Sequence, residues 1–128
     1  MCSSDLAIRA NGLKIVRPDG EFVVKMDATN DPAEVGPVDL ILYTVKTFHN
    51  RSVITTLKPL MGADTSIISL QNGVESHELL GSVLGPSHIL PGAYWASAHV
   101  QTPGVISEDV LSKISFGEIE VTESLRAL

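Results

Sequence analysis

The sequence predicts an α/β fold built on a doubly wound parallel sheet, and three observations carry that prediction. From Val38 to Ala98 the segments alternate strand, helix, strand, helix, strand. The first of these strands, Val38-Asp39-Leu40-Ile41-Leu42-Tyr43-Thr44-Val45, is a nearly continuous apolar run, the pattern of a strand buried on both sides. Between the strands, apolar residues recur at helical spacing, first Val53, Ile54, Leu57 and Leu60, then Val74, Leu79, Leu80, Val83 and Leu84. Parallel strands joined by helices call for right-handed crossovers, which defines the class.

Taken in order, Ala7 to Ala10 reads as the last turn of a helix, because Asn11-Gly12 supplies the two residue types that best tolerate a left-handed helix end. Leu13-Lys14-Ile15-Val16 and Glu21-Phe22-Val23-Val24 flank Pro18-Asp19-Gly20 and read as a hairpin. A polar stretch from Asp27 to Pro37 leads to the strand at Val38. A helix from about Phe48 to Leu60 follows, then a strand at Thr65 to Leu70, a second helix ending at Gly85-Pro86, and a third strand from Ile89 to Ala98. Thr102-Pro103-Gly104 is a turn, Val105-Ile106 and Ile114-Ser115-Phe116 are short strand candidates, and Glu120 to Leu128 begins a helix.

A chain of 128 residues has the size of one domain or part of one. With 44% hydrophobic and 19% charged residues it has an ordinary globular composition, and no apolar run reaches the ~18 residues that cross a bilayer. Nine basic against 15 acidic residues give a net charge of -6 without a Lys/Arg cluster, so nucleic acid is a poor partner. A lone cysteine, Cys2, excludes an internal disulfide framework, and no secretory pattern is present, which makes the cytoplasm the natural compartment. Met1 to Leu6 reads as the translation of a sequencing-library adapter end and is set aside as a non-native tail.

In an open α/β sheet, ligands sit outside the carboxyl ends of the strands. Val45-Lys46-Thr47-Phe48, Gln71-Asn72-Gly73 and Ala96-Ser97-Ala98-His99 fall at such ends. Lys46 either places an ammonium near a cofactor phosphate or a reacting carbonyl, or is a solvated lysine in a helix's first turn, where it opposes the helix dipole. Asn72-Gly73 is not a hairpin turn, since a helix follows; Asn72 is then the N-cap of that helix, with Glu75 at capping-box spacing, or a donor to substrate carbonyl or nicotinamide ribose, and the two roles can coexist. Spacing alone favours the cap. His49, His77, His88 and His99 show no metal-ligand spacing. Tyr94 and Trp95 read as core residues, and neither Asp39 nor Glu118 has an evident acid-base partner.

Six segments taken together resemble the ketopantoate reductase (2-dehydropantoate 2-reductase) family in order and spacing: Ile8 to Leu13, DLILYTVKTF from Asp39 to Phe48, LQNGV from Leu70 to Val74, PGAYWASA from Pro91 to Ala98, Pro103 to Ile106, and Phe116-Gly117-Glu118. The resemblance implies a Rossmann-like domain and NADPH-driven reduction of a 2-oxo acid, ketopantoate to pantoate, on the route to pantothenate and coenzyme A. By motif position it implies that Lys46 contacts NADP at the border of the active site, that Asn72 touches cofactor and substrate, and that the backbone at Ala98 lies beside the nicotinamide. No metal is implied.

The family's Gly-x-Gly-x-x-Gly turn would precede Ala7, and the arginine that reads the NADP 2'-phosphate lies on a second strand that also precedes it. The catalytic lysine and acidic residue of a helical second domain would follow Leu128. Residues 7–128 are therefore expected to form a partial dinucleotide-binding domain whose sheet lacks its first strands and Gly-rich loop. At roughly 25 cal/mol per Å² of apolar surface, the edge so uncovered is expected to make the chain alone poorly folded and a weak NADPH binder. Two rival readings remain open at this point: a related dehydrogenase of another 2-oxo acid or a polyol, and a non-catalytic nucleotide-binding domain.

Overall fold

The computed structural model describes residues 3–73 and 75–117. Val74, Glu118 and the helix expected from Glu120 to Leu128 lie outside the described residues. In chain order the elements are α1 (Ser3–Asn11), β1 (Leu13–Arg17), β2 (Gly20–Val24), β3 (Val38–Tyr43), α2 (Asn50–Val53), β4 (Met61–Ser69), α3 (Ser76–Leu84), β5 (Ile89–Thr102) and β6 (Val105–Phe116). Short 3-10 turns at Pro32–Glu34, Thr47–His49, Ile54–Leu60 and Pro86–His88 complete it. The chain divides into two compact units, residues 3–31 with 95–113, and residues 32–94 with 114–117.

In the first unit, α1 ends as its sequence requires: Gly12, at φ 85°, turns the chain, and its N–H donates to Ile8 C=O at 2.7 Å. Ser3 to Leu6, set aside at the sequence level, form the start of this helix. β1 and β2 form the expected antiparallel hairpin, with Ile15 opposite Phe22. β1 also pairs in parallel with β6, Ile15 opposite Ile106. β6 is one continuous strand where two short ones were expected. The charged residues that interrupt its apolar pattern are partnered across the sheet, Glu108 by Arg17 and Asp109 by Ser97, so they do not end it. Arg17 also lies over the Phe22 ring, 5.2 Å from its centroid.

In the second unit, β3, β4 and β5 run parallel in the order β3-β4-β5, with Ile41 opposite Ile67 and Ile67 opposite Ile89. The strand-helix-strand-helix-strand expectation is met. One face of this sheet is the core: Ile41, Tyr43, Ile67 and Ile89 pack against Ile54, Leu57 and Leu80 of the crossover segments. Burial on both sides of β3 was expected and is not found. Leu40 and Leu42 are 44% and 52% exposed, because the helical segments of this unit cover only the Ile41–Tyr43 face. On the opposite face Ile68 and Leu90 are buried with Leu70 against them.

The helix expected from Phe48 to Leu60 is instead a chain of three short pieces, a 3-10 turn, α2 and a second 3-10 stretch. Pro59 has no N–H and clashes with an α-helical carbonyl four residues back, while Val53, Ile54, Thr55 and Thr56 are a β-branched run. The hydroxyls of Ser52 and Thr56 also donate to the carbonyls of His49 and Val53, three residues back, which tightens the turns. Among the described residues no helix is long and apolar enough to cross a membrane.

Candidate functional site

Because β3 and β4 are parallel, the segments leaving their carboxyl ends emerge side by side. Leu70 N–H donates to Tyr43 C=O at 3.0 Å, carrying the strand pairing one step into the loops. Beyond that point side chains take over. The Gln71 Nε2 amide donates to Val45 C=O at 2.5 Å and to Asn50 Oδ1 at 2.6 Å, while Asn50 Nδ2 donates back to Gln71 Oε1 at 3.2 Å. Tyr43 OH donates to Asn50 Oδ1 at 3.1 Å. Tyr43 and Asn50 are buried, and burial pushes the Tyr43 hydroxyl above its ordinary pKa, so it stays a donor through the physiological range.

Above this cluster lies a cleft of about 610 Å³ lined by Thr47, Asn50, Asn72, Gly73, Glu75, Ser76 and Leu79. That volume falls within the ~300–1,000 Å³ typical of small-molecule sites. Its chemistry is mixed: an amide at Asn72, hydroxyls at Thr47 and Ser76, a carboxylate at Glu75 and an apolar wall at Leu79. Gly73 has φ 96°, a conformation that a side chain would strain, and a Cβ built there would meet nothing within 4 Å. The backbone can therefore pass close beside a ligand at this point.

A second cleft of about 590 Å³ is lined by His77, Glu78, Gly81, Ser82, Pro86 and Ile89. None of those residues comes from the loops that follow β3 and β4. Among the described residues no group of three or more His, Cys, Asp or Glu could hold a metal ion. The lining of the first cleft offers both donors and acceptors of hydrogen bonds to a small polar ligand.

A family profile described as Ketopantoate reductase PanE/ApbA matches residues 4–120, nearly the whole chain. This chain belongs to the ketopantoate reductase family. A 2-dehydropantoate 2-reductase from Nostoc sp. is 27% identical to it over 112 residues, covering 87% of this chain and 35% of that protein. Among solved structures, 2-dehydropantoate 2-reductase from Geobacter metallireducens GS-15 superposes with a TM-score of 0.88 at 30% identity, over 98% of this chain and 42% of that one. D-mandelate dehydrogenase, solved with NADH and anilino(oxo)acetate, superposes at 0.85 with 18% identity over 98% of this chain and 41% of that one, a likeness of fold alone. The chain thus spans less than half the length of these relatives.

Against this ketopantoate reductase fold, the three residues singled out from the sequence fall in different places. Asn72 lines the cleft and does not cap α3. The helix starts at Ser76 with Glu75 in the N-cap position and no side-chain cap bond, because the turn at Gly73 sets Asn72 too far ahead of it. Lys46 is exposed, in extended conformation one residue before the 3-10 turn, and directly precedes the cleft residue Thr47. It is thus not a first-turn lysine, although its C=O does accept from His49 N–H at 2.9 Å. Ala98 lies on an exposed stretch of β5 in the other unit.

Tyr94 and Trp95 are not core residues: they are 47% and 56% exposed. They lie beyond the stretch of β5 that pairs with β4, and the Trp95 ring takes Lys113 at 6.0 Å. Sequence reasoning did not single out Asn50, and it placed Gln71 in a strand-end segment without giving it a role. A signal for Asn50 existed, since it precedes Val53, Ile54 and Leu57 by three, four and seven positions and so lies on the buried stripe of that helical segment.

Proposed function

We propose that the chain is the nicotinamide-side part of an NADP(H)-dependent reductase that converts 2-dehydropantoate to pantoate, a soluble cytoplasmic enzyme of pantothenate and coenzyme A formation. The observation that carries this reading is the convergence of the loops after β3 and β4 on one cleft, with Asn72 in its lining and Lys46 beside Thr47. Asn72 fits the role of donor to the substrate carbonyl or the nicotinamide ribose, and Gly73 leaves room for a ring against the backbone. Lys46 supplies a compact positive charge that favours negative oxygen, on a cofactor phosphate or on the carbonyl as it is reduced. Ala98 is proposed to flank the nicotinamide through its backbone. When bound, the cofactor supplies hydride; the side chains of this chain orient the acceptor and stabilise developing charge.

Steady-state kinetics on the polypeptide that carries this chain test the reading, with NADPH and NADH compared against 2-dehydropantoate, other 2-oxo acids and polyols. The expected result is NADPH-dependent turnover with 2-dehydropantoate preferred. Turnover of a different 2-oxo acid with NADH would move the assignment to another dehydrogenase, and saturable dinucleotide binding without turnover would make it a non-catalytic nucleotide-binding domain.

A further inference from the structure

We propose that Asn50 and Gln71 are positioning residues whose reciprocal amide pair fixes the Lys46 loop against the Asn72 loop, so that both groups meet cofactor and substrate in one geometry. The inference rests on the reading of the cleft given above.

The hydrogen-bond assignments in this cluster follow from one fixed point. Val45 C=O can only accept, so the Gln71 nitrogen must face it, which turns Gln71 Oε1 toward Asn50. Asn50 must then present its nitrogen to that oxygen and its own Oδ1 to Gln71 Nε2 and Tyr43 OH. Each Gln71 N–H has a partner, and reversing either amide would set oxygen against oxygen. One arrangement satisfies the set, and in it the backbone one residue before Lys46 is tied to the side chain one residue before Asn72.

Stability alone gives little reason for this arrangement. Asn50 is 5% exposed and continues the buried stripe of Val53, Ile54 and Leu57, so an apolar residue there would bury area without the desolvation of an amide. What an amide pair adds over two apolar side chains is direction. A misplacement of about 1 Å in reacting groups can cost a hundredfold in rate, which gives a directional tie between two site loops a functional consequence.

The test uses Q71L, N72A, the double variant Q71L/N72A, Q71N and the swapped pair N50Q/Q71N in the polypeptide that carries this chain. Q71L is expected to melt cooperatively and to lose about ten- to a hundredfold in kcat. N72A should cost much less in the Q71L background than in the wild type, because Asn72 is already misplaced there. The swapped pair, which keeps an amide facing an amide, should regain most of what Q71N alone loses, and this comparison decides the matter if Q71L does not fold. Wild-type kcat in a folded Q71L, or no regain in the swap, overturns the inference while the wild type remains active. A wild type without turnover overturns the reading of the cleft as well, so the two failures are told apart by the unmutated protein.

Discussion

The two units handle their polar side chains in opposite ways. In residues 3–31 and 95–113 the charged side chains find partners across strands: Lys14 with Glu21 at 2.8 Å, Arg17 with Glu108, Asp109 with the Ser97 hydroxyl at 3.1 Å, and Lys113 over the Trp95 ring. In residues 32–94 the polar groups gather where two parallel strands end, with Tyr43, Asn50 and Gln71 interlocked beneath and Thr47, Asn72, Glu75 and Ser76 lining a cleft. In the first unit polar residues tie paired strands together, in the antiparallel hairpin and across the parallel β1–β6 pair alike, whereas the adjacent ends of β3 and β4 bring two loops to one place and leave their side chains lining a cleft.

The largest expected contrast is in rate. K46A in the polypeptide that carries this chain should lower kcat/KM for 2-oxo acid reduction by about a hundredfold, in the range seen when a charge-stabilising donor is removed. K14A, which breaks a surface pair of the first unit, should leave kcat/KM near the wild-type value. Equal losses in both would erase the distinction between the units.

Next comes stability. Leu80 is fully buried among Ile41, Ile67 and Ile89, and L80A should destabilise by about 2–5 kcal/mol, read as a lower denaturation midpoint in urea. V23A on the half-exposed β2 should cost about 0.5 kcal/mol or less. A midpoint for L80A within error of V23A would contradict the core assigned to the parallel sheet.

How much of this was legible in the sequence depended on whether the cause was local. The strand starts at Val38 and Ile89, the helix end before Gly85, the Pro18-Asp19-Gly20 hairpin and the helix end at Gly12 are set by neighbouring residues, and each appears where expected. The unity of β6 was hidden, since Glu108 and Asp109 look like a break until Arg17 and Ser97 are brought opposite them. One-sided burial of β3 was hidden for the same reason, because an apolar run says nothing about which faces the helices cover. Asn72, singled out by its place after a strand, lines the cleft, but its favoured capping role failed on the turn at Gly73. Gln71, one residue away in the same strand-end segment, was given no role because its partners, Val45 and Asn50, lie more than twenty positions earlier.

A smaller effect should separate the units by pH. The Ser112 hydroxyl and the Arg17 guanidinium hold the Glu108 carboxyl below its ordinary value of 4.5. A carboxyl whose pKa is lowered by folding contributes stability that is present above its unfolded value and is lost as pH falls through the folded one. E108Q should therefore be less stable than wild type near neutrality, and the gap should close with acidification, which thermal melts from about pH 7 to about pH 3 would follow. A constant gap across that range would mean the carboxylate charge is not what matters. The smallest effect is expected from K113A, which removes an exposed cation from the Trp95 face and should cost under about 1 kcal/mol in the same melts.

If the cleft after β3 and β4 is the nicotinamide and substrate site, N72A and S97A should differ sharply in steady-state assays of NADPH-dependent 2-oxo acid reduction. N72A should lower kcat/KM by about a hundred- to a thousandfold with the melting temperature preserved, and S97A should stay near wild type. Full activity in N72A with a folded protein would contradict the claim.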